Sequence, residues 1–242
     1  MADQRSGLPS SRERWEAGRA AKLAGLLILA SRSPQRRTIL EQLGVPFEVR
    51  PADVDELEQG NPFLVATENA ARKAGAVSGA LVLGADTVVA LDDRILGKPT
   101  DEEQAREFIE ALASRTHVVV GGLAVRREGE ERSAAVATSV TFRKLGPAEV
   151  ARYVASGEWR NRAGGYAIQG LGGTLVRTIE GDYLNVVGLS AATLFELVPD
   201  LRPARPAEVL TAAFSPAISA MGGPDGTRAS ATLAPGATVL SA

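Results

Sequence analysis

An aspartate stands in the middle of an otherwise apolar run. Asp86 lies within residues 81–91, which read as one long strand interrupted at this aspartate. A carboxylate in such a strand is costly unless it binds a metal ion, pairs with a cation or accepts hydrogen bonds. Gly84 and Ala85 are small enough to let another group approach closely. Asp86 is therefore a candidate catalytic or metal-binding acid. The alternative is a surface strand in which Asp86 faces water.

A group of arginines and small polar residues follows the first apolar segment. Residues 31–37 read Ser-Arg-Ser-Pro-Gln-Arg-Arg, at the point where a buried strand gives way to a helix. Backbone N–H groups at a helix N-terminus, with arginines beside them, form an anion site. Arg36 is a candidate cation for such a site. An ordinary capped helix with solvated arginines remains the alternative.

Two later segments suit a ligand that carries phosphate and a base. Lys98 lies in a tight Gly-Lys-Pro loop, where its point charge suits phosphate, although this tripeptide is also a common turn. Residues 163–173 are so rich in glycine that their backbone must pass close to a ligand or to another segment. They do not form a Walker loop, because no Lys-Ser/Thr follows the glycines. Gln169 is a candidate for reading a base edge, and a flexible hairpin is the alternative.

Together these residues supply the parts that chemistry on a triphosphate needs. Such chemistry uses a divalent metal ion held by carboxylates, cations on the phosphates and an activated water. The chain offers the acids Glu56 and Asp86 and the cations Arg36, Lys73 and Lys98. Whether they meet depends on the fold.

Alternating strand and helix signals predict a mixed α/β or α+β domain. Apolar runs predict strands at 26–30, 47–50, 81–91, 117–125, 134–142 and 174–179. Cap residues followed by proline or by an amphipathic segment predict helices at 33–44, 61–78, 101–112, 147–156 and 190–198. Thr100 is expected to cap the third of these helices.

Composition excludes several classes of protein. The net charge of −2 argues against nucleic acid and anionic membranes as partners. The absence of cysteine excludes disulfides, thiolate metal sites and a cysteine nucleophile. Residues 1–22 are rich in charge, so we expect no signal peptide and a cytoplasmic location. The single histidine, His117, is interpreted as structural because no second histidine completes a typical metal set.

The chain is predicted to have three parts. Residues 1–24 show no clear period and are expected to form a flexible extension. Residues 25–202 carry the strand and helix signals and form the domain. Residues 203–242 consist largely of Ala, Gly, Pro, Ser and Thr, which predicts a disordered tail.

Several motifs, taken in order, resemble those of the Maf family of nucleotide pyrophosphatases, also called septum formation inhibitors. The resemblance runs from about residue 26 to residue 198. The motifs are residues 29–37, 54–56, 71–74, 84–87, 97–99, 115–117, 163–170, 179–183 and 185–189.

The resemblance implies an enzyme that cuts a nucleoside triphosphate to the monophosphate and pyrophosphate, removing unwanted or modified nucleotides. It implies Mg²⁺ or Mn²⁺ as cofactor, and two lobes on an elongated mixed sheet with the pocket between them, as in inosine triphosphatases. Family members are often dimers, so a homodimer is expected. Roles carry over from the matching positions of the family. They make Asp86 the catalytic acid and Glu56 and Asp86 the metal ligands. They also imply substrate binding by Ser31, Arg36, Lys73 and Lys98, and base choice by Gln35, Thr87 and Gln169.

One position departs from the family pattern. The branch that resembles dTTP/UTP pyrophosphatases has two arginines after Ser-Pro, and here Gln35 takes the first place. Thr87 and the Ile-Gln-Gly at 168–170 still favour that branch, and hence dTTP, UTP or modified pyrimidine nucleotides, over the branch that acts on 7-methyl-GTP. The alternative function is a non-enzymatic, nucleotide-binding regulator of cell division. Asp86 and Glu56 argue against it, because carboxylates repel phosphate unless a metal ion intervenes.

Overall fold

The computed structural model describes residues 26–201, which form one mixed β-sheet of seven strands flanked by helices. The strands are β1 (Leu27–Leu29), β2 (Phe47–Val49), β3 (Leu81–Leu91), β4 (Arg94–Leu96), β5 (Thr116–Arg127), β6 (Glu130–Phe142) and β7 (Val176–Glu180). The helices are α1 (Pro34–Gln42), α2 (Pro62–Gly75), α3 (Glu102–Leu112), α4 (Pro147–Ala155), α5 (Tyr183–Val187) and α6 (Ala191–Leu197). The predicted N-terminal extension and C-terminal tail lie outside the described residues.

The order of the strands is β2-β1-β3-β5-β6-β7, and β4 pairs with the far end of β3. β1 runs parallel to both β2 and β3, whereas the β3–β5, β5–β6 and β6–β7 pairs are antiparallel. The parallel pairs need crossover helices, and α1 and α2 supply them. The mixed α/β architecture expected from the alternating signals is confirmed.

The two larger of the four apolar clusters within residues 26–201 pack along different parts of the sheet. One contains Leu29, Leu83 and Leu194, and the other contains Val89 and Phe108. β3 contributes to both clusters, and Asp86 lies between its two contributions. The one acidic residue of this long central strand therefore lies at the boundary between the two clusters.

Local signals account for the starts of the first two helices. Ser33 caps α1, with its Oγ 3.5 Å from the backbone N of Arg36. Asn61 caps α2, and its Oδ1 accepts from the backbone N of Phe63 at 2.9 Å. In both helices the residue after the cap is proline. Proline lacks a backbone N–H, but the first N–H groups of a helix have no partner within the helix, so no hydrogen bond is lost there.

Three expectations need correction, and two short elements were missed. β3 continues through Asp86 without interruption, because each residue from 81 to 90 pairs with β5. Asp101 rather than Thr100 caps α3, since Asp101 Oδ1 accepts from the backbone N of Gln104 at 2.8 Å. The glycine-rich segment forms two 3-10 turns rather than a hairpin, so the last strand begins at Val176. The short elements β4 and α5 were not predicted.

None of the helices within residues 26–201 is long and apolar enough to cross a membrane.

Candidate active site

A cleft of about 620 Å³ opens beside the middle of β3. Its volume lies in the range of roughly 300–1,000 Å³ that is typical of small-ligand sites. The segment between β1 and α1 lines one part, and residues 160–163, 166–169 and 186–188 line another. The lining includes every residue that the sequence singled out for the site, namely Ser31, Gln35, Arg36, Glu56, Lys73, Asp86, Thr87, Lys98 and Gln169.

Asp86 and Lys73 form a buried ion pair in this cleft. Lys73 Nζ donates to Asp86 Oδ1 at 2.7 Å and lies 2.9 Å from Glu56 Oε1. The side chains of Lys73 and Asp86 are only 9% and 10% exposed, so the alternative in which Asp86 faces water is wrong. The ammonium bridges two carboxylates that would otherwise repel each other in a site of low dielectric.

Two glycines in the sheet allow α2 to bring Lys73 to Asp86. A Cβ at Gly84 would overlap the backbone of Ala70, and one at Gly122 would overlap the backbone of Ala66. Only glycine permits the helix backbone to approach the sheet this closely. The group that Gly84 admits is therefore helix α2, and the resulting close packing fixes the distance between Lys73 and the strand.

Asn69 is a residue of this site that the sequence reasoning missed. It is 1% exposed, and its Nδ2 donates to Asp86 Oδ2 at 3.1 Å and to the backbone O of Leu57 at 3.0 Å. Its Oδ1 accepts from the backbone N of Leu57 at 2.7 Å. Asn69 therefore orients Asp86 and ties it to the segment that carries Glu56. The available signal was a buried-face amide one helical turn before Lys73.

Arg36 is a second buried cation of the cleft. Its residue exposure is 8%, and its guanidinium donates to Ser31 Oγ at 3.0 Å, to Thr87 Oγ1 at 3.0 Å and to the backbone O of Gly188 at 2.9 Å. Burial lowers the pKa of Arg36 from its ordinary value, although the charges of Asp86 and Glu56 act in the opposite direction. Arginine remains protonated despite such a shift. Within residues 26–201 no carboxylate lies within ion-pair distance of Arg36, which suits it to an external anion.

Gln35 is anchored by the residue that caps its helix. Its Oε1 accepts from Ser33 Oγ at 3.1 Å, and its side chain is half-buried at the cleft. Because the amide oxygen of Gln35 already accepts from Ser33, the amide N–H₂ is the group of this side chain that can donate a hydrogen bond to a ligand.

Lys98 lies in the loop that follows β4 and is 59% exposed. Its Nζ is 3.9 Å from Glu56 Oε2, so Glu56 lies between two lysines. The loop is held by the glycine-rich segment, since the backbone N of Gly164 donates to the backbone O of Gly97 at 3.0 Å. A Cβ at Gly164 would collide with Val89, so this glycine serves the packing of one protein segment on another. The cations thus approach the cleft from several elements.

His117 has the structural role that its isolation in the sequence indicated. It is 1% exposed, and its Nε2 is hydrogen-bonded to Tyr166 Oη at 2.8 Å. The rings of His117, Phe142 and Tyr166 pack edge to face. Burial lowers the pKa of His117 to about 4, so the imidazole is neutral at neutral pH. Tyr166, which lines the cleft, is held in place by this contact.

Comparison with known protein families identifies the family of this chain. Residues 26–201, most of the chain, match the family described as Maf-like protein. The chain belongs to the Maf family. The matched range coincides with the described residues, so all of the cleft lies within the part of the chain that carries the Maf sequence pattern.

Relatives of known description align along nearly their whole length. A dTTP/UTP pyrophosphatase of Anaeromyxobacter sp. is 49% identical over 183 residues, which cover 73% of this chain and 89% of the relative. One of Paramagnetospirillum magneticum is 50% identical over 179 residues, 71% of this chain and 93% of the relative. One of Moorella thermoacetica is 43% identical over 180 residues, with shares of 71% and 93%.

The donor set of the cleft fits a divalent cation only in part. Within residues 26–201 no group of three or more His, Cys, Asp or Glu side chains could hold a metal ion. Glu56 and Asp86 form a pair of carboxylates, and both contact Lys73. Mg²⁺ commonly takes one or two carboxylates and completes its shell with substrate phosphates and water. The pair therefore fits a cation that arrives together with a triphosphate.

Proposed function

We propose that this Maf protein hydrolyses a nucleoside triphosphate to the monophosphate and pyrophosphate, with dTTP and UTP as preferred substrates. The observation that carries the proposal is the arrangement around Asp86. A buried acid lies in a small-ligand cleft beside two buried cations, Arg36 and Lys73, and near the exposed Lys98. The dTTP/UTP pyrophosphatases that align with 43–50% identity support the same activity.

In the proposed reaction Asp86 accepts a proton from a water molecule that attacks the α-phosphorus. A new P–O bond forms to the water oxygen, and the bond from the α-phosphorus to the bridging oxygen breaks. Pyrophosphate leaves with the electron pair of that bond, and the proton on Asp86 later returns to solvent. Asn69 and Lys73 hold the two oxygens of Asp86, which fixes the direction in which the carboxylate faces the cleft.

Cations near the phosphates stabilise the charge that develops on the leaving group. Arg36 supplies a planar set of donors, three of which are already fixed by Ser31, Thr87 and Gly188. Lys98 is exposed and supplies a mobile point charge. Ser31 contributes by orienting Arg36.

Glu56 and Asp86 would hold the divalent cation, Mg²⁺ or Mn²⁺, together with phosphate oxygens of the substrate. When bound, this cation neutralises phosphate charge and lowers the pKa of a coordinated water. For both carboxylates to serve as ligands, Lys73 must give up part of its contact with them or share it, because its ammonium lies within 2.9 Å of each.

We assign base choice to Gln35, Thr87 and Gln169, and their position in the lining of the cleft supports this proposal. The Gln35 amide has its carbonyl oxygen engaged by Ser33 and keeps N–H₂ for the ligand. A donor at this position favours a base that presents a carbonyl oxygen, as thymine and uracil do at O4. The expected homodimer, the cytoplasmic location and the domain boundaries at 25 and 202 stay predictions.

The test is a panel of dTTP, UTP, CTP, GTP and ATP with Mg²⁺ or Mn²⁺, read for both rate and product. The proposal requires turnover with pyrophosphate as product and with dTTP or UTP among the best substrates. Binding without turnover across the whole panel would favour the non-enzymatic regulator instead.

A further inference from the structure

The direction of Gln169 depends on the backbone that carries it. The residue lines the cleft and is exposed, and its side-chain amide makes no hydrogen bond within the described part of the chain. A long side chain without a partner takes its position from the main chain to which it is attached. Whatever holds residues 167–172 therefore decides where this amide meets a base.

A single carboxylate holds the far side of that turn. Glu158 Oε1 accepts from the backbone N of Leu171 at 2.9 Å, and Oε2 accepts from the backbone N of Gly172 at 2.7 Å. Hydrogen bonds to an ionised carboxylate are about twice as strong as those between neutral groups. A Cβ at Gly170 would overlap Glu158 Oε1, so only glycine lets the carboxylate come this close to the main chain.

The near side of the turn is held from the same part of the molecule. Tyr153 Oη accepts from the backbone N of Ala167 at 3.3 Å. Burial, and next the charge of Glu158, raise the pKa of Tyr153 above its ordinary value, so its hydroxyl stays protonated. The segment that bears Glu158 is itself fixed, because Trp159 is 4% exposed and donates to the backbone O of Val154 at 3.0 Å.

We propose that Glu158 is a positioning residue for base choice, acting by holding the 167–172 turn so that Gln169 faces the base. The inference rests on the proposed function, because that function assigns Gln169 to the base. Glu158 lies in the turn that follows α4 and is absent from the lining of the cleft, so it acts through the 167–172 turn and not by contact with substrate.

The test measures dissociation constants of non-hydrolysable α,β-methylene analogues of dTTP, UTP, CTP and GTP. Glu158→Gln keeps the shape and one acceptor oxygen but turns an N–H₂ donor towards a backbone N–H. We expect the ratio between the weakest and the tightest dissociation constant to fall about fivefold, the equivalent of one lost hydrogen bond. In a Gln169→Ala background, the same substitution should leave the ratio unchanged.

Two controls separate positioning from general damage. Glu107→Gln makes the same chemical change on an exposed residue of α3 and should alter no ratio. Hydrogen exchange of the Leu171 and Gly172 amides should be faster in Glu158→Gln than in the wild type or in this control. Should Glu158→Gln fail to fold, Glu158→Asp retains the charge with a shorter reach and should lower the ratio by a smaller factor.

Three outcomes overturn the proposal. The first is an unchanged ratio in the folded Glu158 variant, and the second is an equal loss of affinity for all four analogues. The third is a wild type that binds none of the analogues. A wild type that binds the analogues with base preference but hydrolyses no triphosphate contradicts the proposed function alone, and the ratios then still decide the role of Glu158.

Discussion

Replacing Asp86 with asparagine changes the charge of one buried side chain and almost nothing of its shape. In the wild type, Asp86 Oδ1 accepts from Lys73 at 2.7 Å and Oδ2 accepts from Asn69 at 3.1 Å. The new amide can face Lys73 with its oxygen, but its N–H₂ then meets the N–H₂ of Asn69. Asn69 cannot rotate to accept, because both ends of its amide are held by the backbone of Leu57.

The expected loss of stability follows from these contacts. One hydrogen bond is lost and one donor is left facing another, which costs about 1–3 kcal/mol of unfolding free energy. Lys73 retains Glu56 as a partner at 2.9 Å, so no buried charge is left unpaired. The variant should therefore fold, with a lower midpoint of thermal unfolding.

The loss of activity should be much larger than this. Removing the proposed base and metal ligand should lower kcat at least about a hundredfold, or about 2.7 kcal/mol of transition-state stabilisation. The assay is pyrophosphate release from dTTP, with far-UV circular dichroism to check the fold. Asp93→Asn, an exposed aspartate in the turn after β3, is the matched control and should keep wild-type kcat. A folded Asp86→Asn enzyme with kcat within threefold of wild type would refute the assignment.

Three further substitutions test other parts of the site. Lys73→Met leaves Asp86 and Glu56 without their shared cation, so it should lower the unfolding free energy by about 3 kcal/mol in chemical denaturation. Equal denaturation midpoints for the variant and the wild type would contradict the bridging role. Gln35→Arg should shift the ratio of specificity constants between dTTP and CTP about tenfold, whereas identical ratios would mean that this position does not read the base. The pKa of His117 falls from 6.5 to about 4 on folding, so the unfolded chain binds the proton more readily. The unfolding free energy should therefore fall by up to about 3 kcal/mol between pH 6.5 and pH 4. In urea titrations, His117→Gln should lose less stability than the wild type over the same interval. Equal losses in the two proteins would contradict the lowered pKa of His117.

Local features of the fold were readable from sequence because they depend on neighbouring residues. The caps at Ser33 and Asn61, each followed by proline, fixed the starts of two helices. The cap of α3 was misassigned because Thr100 and Asp101 are both good caps, and only the backbone decides which accepts the hydrogen bond. β4, with three residues, and α5, with five, are too short to carry a periodic signal.

The candidate site was readable only as far as residue type reveals a role. A carboxylate in an apolar strand identified Asp86, but the partners of Asp86 depend on the closeness of α2 to the sheet. That closeness is set by Gly84 and Gly122, which meet the helix backbone only after the sheet has formed. The sequence did not identify Glu158 as a residue that acts on the site. Its two carboxylate oxygens accept from the backbone of a turn that was not predicted.

The central claim is tested most directly by following dTTP hydrolysis by phosphorus NMR in ¹⁸O-labelled water with Mg²⁺. If water attacks the α-phosphorus, as the claim requires, dTMP and pyrophosphate form in equal amounts, with one ¹⁸O in the phosphate of dTMP and none in pyrophosphate. We expect no such products above background with Asp86→Asn. Inorganic phosphate and dTDP as first products, or ¹⁸O in pyrophosphate, would contradict it.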